Sequence, residues 1–279
     1  MTSFFNTSLD GGLDFPPNPT AVLIIVHGLA EHRARYREVI EFFNKQGIGC
    51  CSFDHRGHGL TATKNADLRG DVQSFDHFVN DVASVIDGVK SQYPQLPLFV
   101  WGHSMGAVIA TLVAGERGPK IRGVITSSAP FAAFDRVPTW IATCLRWIAR
   151  LIPTRAVSLP IDPARLSRDS EVGQRYAADP LVPQAVTLRL LTELTVASGQ
   201  SLRIARRLKL PWLALHGGSD QVAPPIGSQR LLDVLASADK ELALWPEARH
   251  EVHNELEPAR TEFLSRIAAW IKARSEVRR

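Results

Sequence analysis

A run of six consecutive apolar residues, Ala21 to Val26, places the strongest constraint on the fold of this chain. The run is rich in β-branched residues, and a strand that has no polar face is buried on both sides. Similar apolar runs alternate with segments of helical periodicity, of which Ser74 to Tyr93 is the clearest, with Ser74 as its candidate N-cap. This alternation predicts an α/β fold: a mostly parallel, twisted sheet flanked by helices on both faces.

The alternation stops after Pro130 and resumes at Pro211. Prolines between these positions separate helical pieces, and no strand-like run stands among them. We therefore predict a core formed by residues 1–130 and 208–279, interrupted by a helical cap, or lid, of residues 131–207. This insertion contains eleven arginines, no lysine and six acidic residues, so the chain's net charge of +4 is concentrated there.

The composition excludes several classes of protein. With 45% hydrophobic and 22% charged residues, the chain is an ordinary globular one. It lacks the basic, aromatic-rich runs that hold single-stranded nucleic acid, a secretory leader, and any apolar run near the roughly 18 residues of a membrane span. We therefore predict a cytoplasmic protein that binds no nucleic acid, with peripheral contact at a membrane as a further hypothesis.

The three cysteines, Cys50, Cys51 and Cys144, form no C-x-x-C pair. They therefore indicate neither a disulfide framework nor a cysteine zinc site. We interpret them as small buried side chains in a reducing compartment. The histidines likewise have no spacing typical of metal ligands beside carboxylates, so the sequence predicts no metal.

Gly102-His-Ser-Met-Gly106 lies between the predicted strand that ends at Trp101 and the predicted helix that begins at Met105. The chain must turn sharply there, so that Ser104 is held in a strained conformation and the two glycines relieve the crowding. The serine oxygen then projects above the sheet at a helix N-terminus, whose dipole favours a developing negative charge. This context predicts a nucleophilic serine; an inert serine in a glycine-bounded turn is the alternative.

A serine hydroxyl is a weak nucleophile at neutral pH and needs a general base. In folds of this kind the acid and the base follow the serine along the chain, near the carboxyl ends of strands. Asp220 comes just after the predicted strand Pro211–Leu215, and His250 follows the next predicted strand. The sequence thus predicts a catalytic triad of Ser104, Asp220 and His250. Taken singly, Asp220 could be a turn residue and His250 a solvated loop histidine.

Only one other histidine rivals His250 as the base, and that is His253, three residues later. We interpret five further histidines as turn or packing residues: His55, His58, His77, His103 and His216.

Two backbone amides are predicted to bind the oxyanion of a tetrahedral intermediate. One belongs to Met105, the residue after the serine, and the other to Leu29, in the loop after the first buried strand. Gly28 permits the tight backbone that this loop needs. Such donors contribute about 2.7–4 kcal/mol each to the stability of the transition state.

These motifs together resemble the monoglyceride lipase and lysophospholipase branch of the α/β-hydrolase superfamily. The resemblance covers residues 20–130 and 208–272, whereas the insertion matches only in position and helical character. It implies an α/β-hydrolase fold with an inserted helical cap. The motifs that carry it are His27-Gly-Leu-Ala-Glu-His32, Arg35-Tyr36, Asp54-His-Arg-Gly-His-Gly59, Ser74-Phe-Asp76, Gly102-His-Ser-Met-Gly106, Asp220, and His250 followed by Glu255-Leu256.

The resemblance also implies roles for single residues. It implies the same triad and the same two oxyanion amides, and it adds three residues near the alcohol part of the substrate: Glu31, Arg35 and His253. The chain departs from the family at Ala30, where glycine is usual, and at Leu29, where a small residue is usual. The bulkier Leu29 would narrow the mouth of the site, and the divergent cap allows no residue role to be carried over.

The segment Val137–Ile152 of the predicted cap combines an apolar helical stripe with Arg146 and Arg150. Trp140 and Trp147 flank the stripe, a composition that suits a helix lying on a membrane surface. The simpler hypothesis is a lid that covers the site, and a lid can also touch a membrane. An apolar lid suits an acyl chain, because each buried methylene stabilises the complex by about 0.8 kcal/mol. The stripe consists of Val137, Ile141, Cys144, Leu145, Ile148 and Ile152.

We therefore predict a serine carboxylester hydrolase that cleaves a small-molecule or lipid ester through an acyl-enzyme intermediate, without a metal or organic cofactor. Monoacylglycerol-like or lysophospholipid-like esters are the expected substrates, and the sequence does not indicate an oligomeric state. The alternatives on the same fold are a short-chain esterase, a thioesterase, a lactonase or an aminopeptidase. An aminopeptidase would need cap carboxylates for the substrate's ammonium group, for which Glu171 and Glu193 are the candidates. A non-catalytic ligand receptor is a further alternative.

Overall fold

The computed structural model describes residue 5 and residues 7–133, 139–158 and 161–275. Within these ranges seven strands form one sheet and two short strands form another. The strands are β1 (Gly11–Asp14), β2 (Ala21–Val26), β3 (Ile48–Phe53), β4 (Leu98–His103), β5 (Gly123–Ser127), β6 (Ala156–Ser158), β7 (Ala185–Thr187), β8 (Trp212–Gly217) and β9 (Lys240–Trp245). The helices are α1 (Arg37–Lys45), α2 (Gly59–Asn65), α3 (Asp76–Gln92), α4 (Met105–Arg117), α5 (Thr139–Leu151), α6 (Ser170–Ala178), α7 (Leu188–Ala205), α8 (Ile226–Val234) and α9 (Ala259–Ser275).

The large sheet has the strand order β1-β3-β2-β4-β5-β8-β9. Strand β1 runs antiparallel to β3, and the other five neighbouring pairs run parallel. Helices α1 and α9 pack on one face of the sheet, and α3, α4 and α8 pack on the other, where α7 packs on α4. Strand β2 is buried along its whole length, as its apolar sequence requires. The predicted α/β fold with a mostly parallel sheet is confirmed.

Parallel strands end at the same edge of the sheet, and the segments that follow them meet there. The loops after β2, β4, β5, β8 and β9 therefore lie close together. They carry five residues of interest: Leu29, Ser104, Ser128, Asp220 and His250.

Helix α3 begins one residue later than the predicted N-cap implies. Phe75, not Ser74, occupies the N-cap position, although Ser74 Oγ still accepts a hydrogen bond from the Asp76 amide at 3.4 Å. The Phe75 amide donates to Glu193 Oε2 at 2.9 Å. Glu193 lies on α7, so a distant side chain satisfies the helix end that a local serine was expected to cap.

Between β5 and β8 the chain forms α5, β6, α6, β7 and α7. The sequence predicted only helices here, but β6 and β7 pair in antiparallel fashion over three residues each. Strands this short carry no detectable period-two pattern. Polar contacts tie the segment to the preceding part of the chain. Asp71 accepts a hydrogen bond from Thr187 Oγ1 at 2.6 Å and forms an ion pair with Arg189. His32 Nε2 lies 2.7 Å from Asp179 Oδ2.

Helix α5 leaves most of its apolar side chains in solvent. Trp140 is 68% exposed, Trp147 62% and Leu151 82%. The helix packs on α7, and Ala149 is its buried contact residue. The predicted stripe is therefore not packed over the site; its first residue, Val137, lies outside the described residues. No helix in the described ranges is long and apolar enough to cross a bilayer.

The cysteines divide between the sheet and α5. Cys50 and Cys51 are buried in β3, as expected, and burial raises the pKa of each thiol. Cys144 is exposed on α5, so the expectation of a buried thiol is wrong at that position. The reason is that the outer side of α5 packs on no other part of the described chain.

Candidate active site

Ser104 occupies the sharp turn between β4 and α4. Its backbone angles are φ 51° and ψ −119°, in the left-handed half of conformational space that non-glycine residues rarely adopt. A Cβ atom on Gly102 would lie 2.1 Å from Gly106 O, and one on Gly106 would lie 2.0 Å from Val26 O. Both positions therefore require glycine, and the predicted strained strand–turn–helix context of Ser104 is confirmed.

Asp220 and His250 lie in direct hydrogen-bond contact although 30 residues separate them along the chain. His250 Nδ1 lies 2.8 Å from Asp220 Oδ2, and both side chains are buried. The amides of Val222 and Ala223 donate to Asp220 Oδ1 at 2.8 and 2.9 Å. Burial would raise the pKa of Asp220, but the contacts with His250 and other donors outweigh it and lower this pKa. Asp220 is therefore a fixed anion that holds the imidazole in one orientation.

The charge of Asp220 also determines the basicity of His250. Burial alone would lower the pKa of His250, but the nearby Asp220 carboxylate raises it above its ordinary value. Because Nδ1 donates to Asp220, Nε2 is the nitrogen that is free to accept a proton. Ser104 and His250 line the same cavity, and no hydrogen bond joins their side chains in this structure. Such catalytic contacts are often long in the free enzyme.

Two further residues hold this pair, and the sequence interpretation missed both. His216 Nε2 lies 3.1 Å from Asp220 Oδ2, so His216, interpreted as a turn or packing residue, is a donor to the acid. Ser128 Oγ donates to the backbone oxygen of His250 at 2.6 Å and is fully buried. His216 directly follows the predicted strand Pro211–Leu215, a position that could have pointed to it, whereas the contact of Ser128 with His250 has no signal in the sequence.

The loop after β2 lies against Ser104. A Cβ atom on Gly28 would be 3.2 Å from Ser104 Cβ, which brings the Leu29 amide to the same end of the sheet as Met105. His27 Nε2 accepts from the His55 amide at 3.0 Å, and its Nδ1 then donates to Gly28 O at 2.8 Å. The backbone amides of Leu29 and Met105 have no hydrogen-bond acceptor among the described residues.

Ala30 adopts a left-handed backbone conformation with φ 55°. This conformation explains why glycine suits the position better, since a Cβ atom is strained there. Leu29 lines the cavity beside Ser104, where its side chain narrows the space. Both departures noted in the sequence therefore lie at the site itself.

A cavity of about 420 Å³ opens over Ser104, a volume typical of small-molecule sites. Most of its lining is apolar, and the segment between β5 and β8 supplies a large part of it. None of the described α5 residues lines it. The lining consists of Leu29, Glu31, Ser104, Met105, Pro130, Ala133, Ile161, Arg165, Leu166, Tyr176, Leu191, Leu194, Gln221, Val222, His250 and Glu251.

The three residues expected near the alcohol part of the substrate differ in their surroundings. Glu31 lines the cavity; its Oε2 accepts from Tyr36 Oη at 2.8 Å and from the Gly28 amide at 3.2 Å. Burial, reinforced by the charge of the nearby Glu251, raises the pKa of Glu31 to about 7. Arg35 does not line the cavity, and its guanidinium is paired with Glu251.

His253 is buried between aromatic rings rather than at the cavity surface. Its ring stacks on Tyr36 at a centroid distance of 5.2 Å and meets Trp101 edge-on at 5.6 Å. Burial lowers the pKa of His253 to about 4. The structure therefore favours His250 over its rival as the base, because His250 lines the cavity and contacts Asp220.

The remaining histidines are buried or peripheral. His55 and His58 pack against Phe78, and burial lowers the pKa of both. His103 Nδ1 lies 3.0 Å from Ser127 Oγ inside the sheet. These contacts are those of packing residues, as the sequence suggested. Within the described ranges, no group of three or more His, Cys, Asp or Glu side chains could hold a metal ion.

Comparison with known families agrees with this geometry. The family described as "Serine aminopeptidase, S33" matches residues 17–257, which is most of the chain. The chain belongs to this α/β-hydrolase family. The match includes the segments that carry Ser104, Asp220 and His250.

Individual relatives show which members of the family this chain is similar to. This α/β-hydrolase is 32% identical over 255 residues to the monoacylglycerol lipase of Mycolicibacterium smegmatis, a match that covers 91% of this chain and 89% of the relative. It is 30% identical over 258 residues to the monoglyceride lipase of Homo sapiens, with 92% and 84% covered. The crystal structure of the Paleococcus ferrophilus monoacylglycerol lipase superposes with a TM-score of 0.85 at 30% identity, over 95% of this chain and 99% of that one. The resemblance predicted from the motifs is confirmed.

Proposed function

We propose that this α/β-hydrolase is a serine carboxylester hydrolase that cleaves monoacylglycerol-like or lysophospholipid-like esters through an acyl-enzyme intermediate. One observation carries the proposal: strained Ser104 lines an apolar cavity together with His250, which Asp220 holds at 2.8 Å. Its relatives, a monoacylglycerol lipase and a monoglyceride lipase, support the substrate class.

In the proposed reaction, His250 Nε2 takes the proton of Ser104 Oγ as this oxygen attacks the ester carbonyl. The amides of Leu29 and Met105 stabilise the oxyanion that forms. The alcohol leaves with the proton from His250, and the acyl group remains on Ser104. Water, activated by the same histidine, then releases the fatty acid, while Asp220 stabilises the imidazolium form of His250. The protein groups supply every proton transfer in this scheme.

We further propose that residues 131–207 form a cap over a core of residues 1–130 and 208–279. Side chains of this segment supply the upper part of the cavity lining. An acyl chain in the cavity would exchange water for apolar contacts, worth about 0.8 kcal/mol for each buried methylene. The six apolar or aromatic contributors are Ala133, Ile161, Leu166, Tyr176, Leu191 and Leu194.

The exposed side of α5 is the part of the cap that we propose to contact a lipid surface. Trp140, Trp147 and Leu151 present apolar surface, and Arg150 lies over the Trp147 ring at 4.8 Å. Arg146 adds a second positive charge on the same helix. Apolar and basic side chains on one short helix suit a membrane that carries anionic lipids. A cytoplasmic location stays a prediction.

An aminopeptidase is the alternative that the name of the family raises. The cap carboxylates considered for it are engaged elsewhere: Glu193 accepts from the Phe75 amide, and exposed Glu171 pairs with Arg175. Neither lines the cavity. In the described ranges, the part of the lining that comes from residues 131–207 contains no carboxylate; the two acidic lining residues, Glu31 and Glu251, lie outside this segment. A cap without carboxylates supports an acyl ester better than a peptide with a charged amino terminus.

Turnover of a monoacylglycerol by Ser104→Ala tests the catalytic assignment. We expect a loss of at least 10³-fold in kcat with an unchanged circular dichroism spectrum, because the nucleophile alone is removed. Exposed Ser84→Ala is the matched control and should keep wild-type activity. Retained turnover in Ser104→Ala would contradict the assignment, and preferential cleavage of an aminoacyl anilide would favour the aminopeptidase.

Co-sedimentation with vesicles tests the membrane contact. We expect binding to vesicles that contain anionic lipid, and we expect Trp140→Ser/Trp147→Ser to weaken it at least tenfold. Leu68→Ser/Leu244→Ser, which removes two exposed apolar side chains outside α5, is the control. Equal binding by both double variants would contradict a contact through α5.

A further inference from the structure

Glu251 follows His250 in the chain and is buried against Arg35. Its side chain is 1% exposed and that of Arg35 is 10% exposed. Both carboxylate oxygens lie 2.7 Å from Arg35 Nη2, and Asn254 Nδ2 donates to Oε2 at 2.8 Å. Glu251 lines the cavity, whereas Arg35 does not. The carboxylate thus stands between the cavity and the cation that the resemblance associates with the alcohol part of the substrate.

This contact changes what Arg35 can recognise. The carboxylate of Glu251 neutralises the charge of the Arg35 guanidinium and engages one of its nitrogens, Nη2, with both oxygens. Glu31 lines the same end of the cavity and also carries a carboxyl group. Among the described residues, an alcohol bound there therefore meets two carboxyl groups and no unpaired cation on the Glu31 side.

Within the part of the chain that the structure describes, the one cation that lines the cavity is Arg165, on the proposed cap. Arg165 is 48% exposed at its side chain, and its Nε lies 3.8 Å from Asp162 Oδ2. Its charge is therefore screened by water and by its own acidic partner. Arg165 therefore compensates poorly for a negative charge that is buried near Glu31.

We propose that Glu251 is a specificity-determining residue that excludes phosphate-bearing alcohols, so that esters of uncharged alcohols are cleaved in preference to lysophospholipids. The inference rests on the proposed function and deepens it. A phosphate in this end of the cavity would lose its water without gaining a counter-charge. An uncharged alcohol can instead donate its hydroxyl hydrogens to the carboxylate oxygens.

The raised pKa of Glu31 agrees with this balance of charges in the cavity. Burial and the charge of Glu251 together raise the pKa of Glu31 to about 7, so the site already resists a second negative charge. Arg35 and the Tyr36 hydroxyl act in the opposite direction, and His103 Nε2 lies 3.5 Å from Glu31 Oε1. Burial lowers the pKa of His103 and leaves it neutral, so a phosphate would add to a negative charge that only Arg35 and the Tyr36 hydroxyl partly offset.

The test compares kcat/KM for a 1-monoacylglycerol and the lysophosphatidate with the same acyl chain, both below their micellar concentrations. For the wild-type chain we expect at least a tenfold preference for the monoacylglycerol. Glu251→Gln should lower that preference at least tenfold, because Arg35 is then free to pair with the phosphate. Exposed Glu247→Gln is the matched control and should leave the preference unchanged.

Two results would overturn the inference. One is equal kcat/KM for both substrates in the wild-type chain, a measurement that stands even if Glu251→Gln does not fold. The other is a folded Glu251→Gln variant with an unchanged preference. If the wild-type chain cleaved neither substrate, the proposed function itself would fail and the inference with it, so the two failures are distinguishable.

Discussion

Asp220 accepts hydrogen bonds from two imidazoles and two backbone amides, and this environment explains its fixed negative charge. The charge in turn raises the pKa of His250, which must be neutral to take a proton. A base whose pKa lies above its ordinary value requires a higher pH to become active. The pH profile of the reaction therefore reports on a contact between two side chains.

We predict that the acidic limb of the kcat/KM profile lies above pH 6.5, the ordinary pKa of histidine. Asp220→Asn should move that limb to lower pH and reduce kcat by about 10⁴-fold, because the charge that stabilises the imidazolium is lost. The control is Asp233→Asn, at an exposed position, which should leave both the pH of the acidic limb and kcat unchanged. A limb that stays in place in Asp220→Asn would show that Asp220 does not set the basicity of His250.

Glu31 gives a second prediction at this scale, on stability rather than rate. Its pKa is raised from 4.5 to about 7 in the folded chain, through burial and Glu251. The folded state therefore holds this proton more tightly than the unfolded state does. The contribution of the protonated Glu31 carboxyl group to the free energy of unfolding is complete below pH 4.5 and is lost as the pH rises to about 7. Relative to Glu31→Gln, the wild type should lose roughly 1–3 kcal/mol across this window.

Urea unfolding of both chains at pH 5 and pH 8 measures this difference. Exposed Glu171→Gln is the control and should show no pH-dependent difference from the wild type. A constant difference between wild type and Glu31→Gln at the two pH values would mean that Glu31 keeps an ordinary pKa.

The placement of single residues at one edge of the sheet was predictable where they lie in the loops just after strong strand signals. Ser104, Asp220 and His250 each follow such a strand, and the triad was predicted on that basis. Ser128 and Glu251 were missed because their importance depends on contacts across 122 and 216 residues, with His250 and Arg35. Such distances along the chain leave no periodic or motif signal.

At the scale of elements, the turn between β4 and α4 is the most tightly constrained. We predict that Gly106→Ala prevents folding to a soluble, active chain, because its Cβ would lie 2.0 Å from Val26 O. Gly199→Ala, at an exposed position of α7, is the matched control, because the atom nearest to its added Cβ would be 3.9 Å away. That change should stabilise the chain by about 0.5–1 kcal/mol. A folded, active Gly106→Ala would contradict the close approach of β2 and α4.

The long elements were predictable, and the short ones were not. Strands of the large sheet carry continuous apolar runs, and helices such as α3 carry a clear stripe, so both have strong signals. Strands β1, β6 and β7 have only three or four residues each, too few for a period to stand out. The apolar stripe of α5 correctly predicted a helix. It did not predict that the side chains stay exposed, because a stripe of apolar residues does not indicate which surface packs on it.

At the scale of the whole molecule, the cavity depends on both parts of the chain. The core supplies Ser104 and His250, and the segment between β5 and β8 supplies much of the apolar lining. We predict that kcat/KM for a series of 1-monoacylglycerols rises with chain length until the cavity is filled. Each added methylene should raise it up to about fourfold, the equivalent of about 0.8 kcal/mol.

The series should be measured with monomeric substrates, so that interfacial binding through α5 does not contribute. Trp140→Ser/Trp147→Ser should give the same dependence on chain length, because neither tryptophan lines the cavity. A flat or falling series would mean that Leu29 and the proposed cap enclose space for a short acyl group alone.

The nucleophilic character of Ser104 is the claim on which all of these expectations depend. Labelling with a fluorophosphonate, followed by peptide mass spectrometry, tests it most directly, since the reagent forms a covalent bond to an activated serine and releases fluoride. We predict one label on the peptide that contains Ser104, none in Ser104→Ala, and strongly slowed labelling in Asp220→Asn. An unlabelled wild-type chain, or a label on another serine, would contradict the proposed catalytic site.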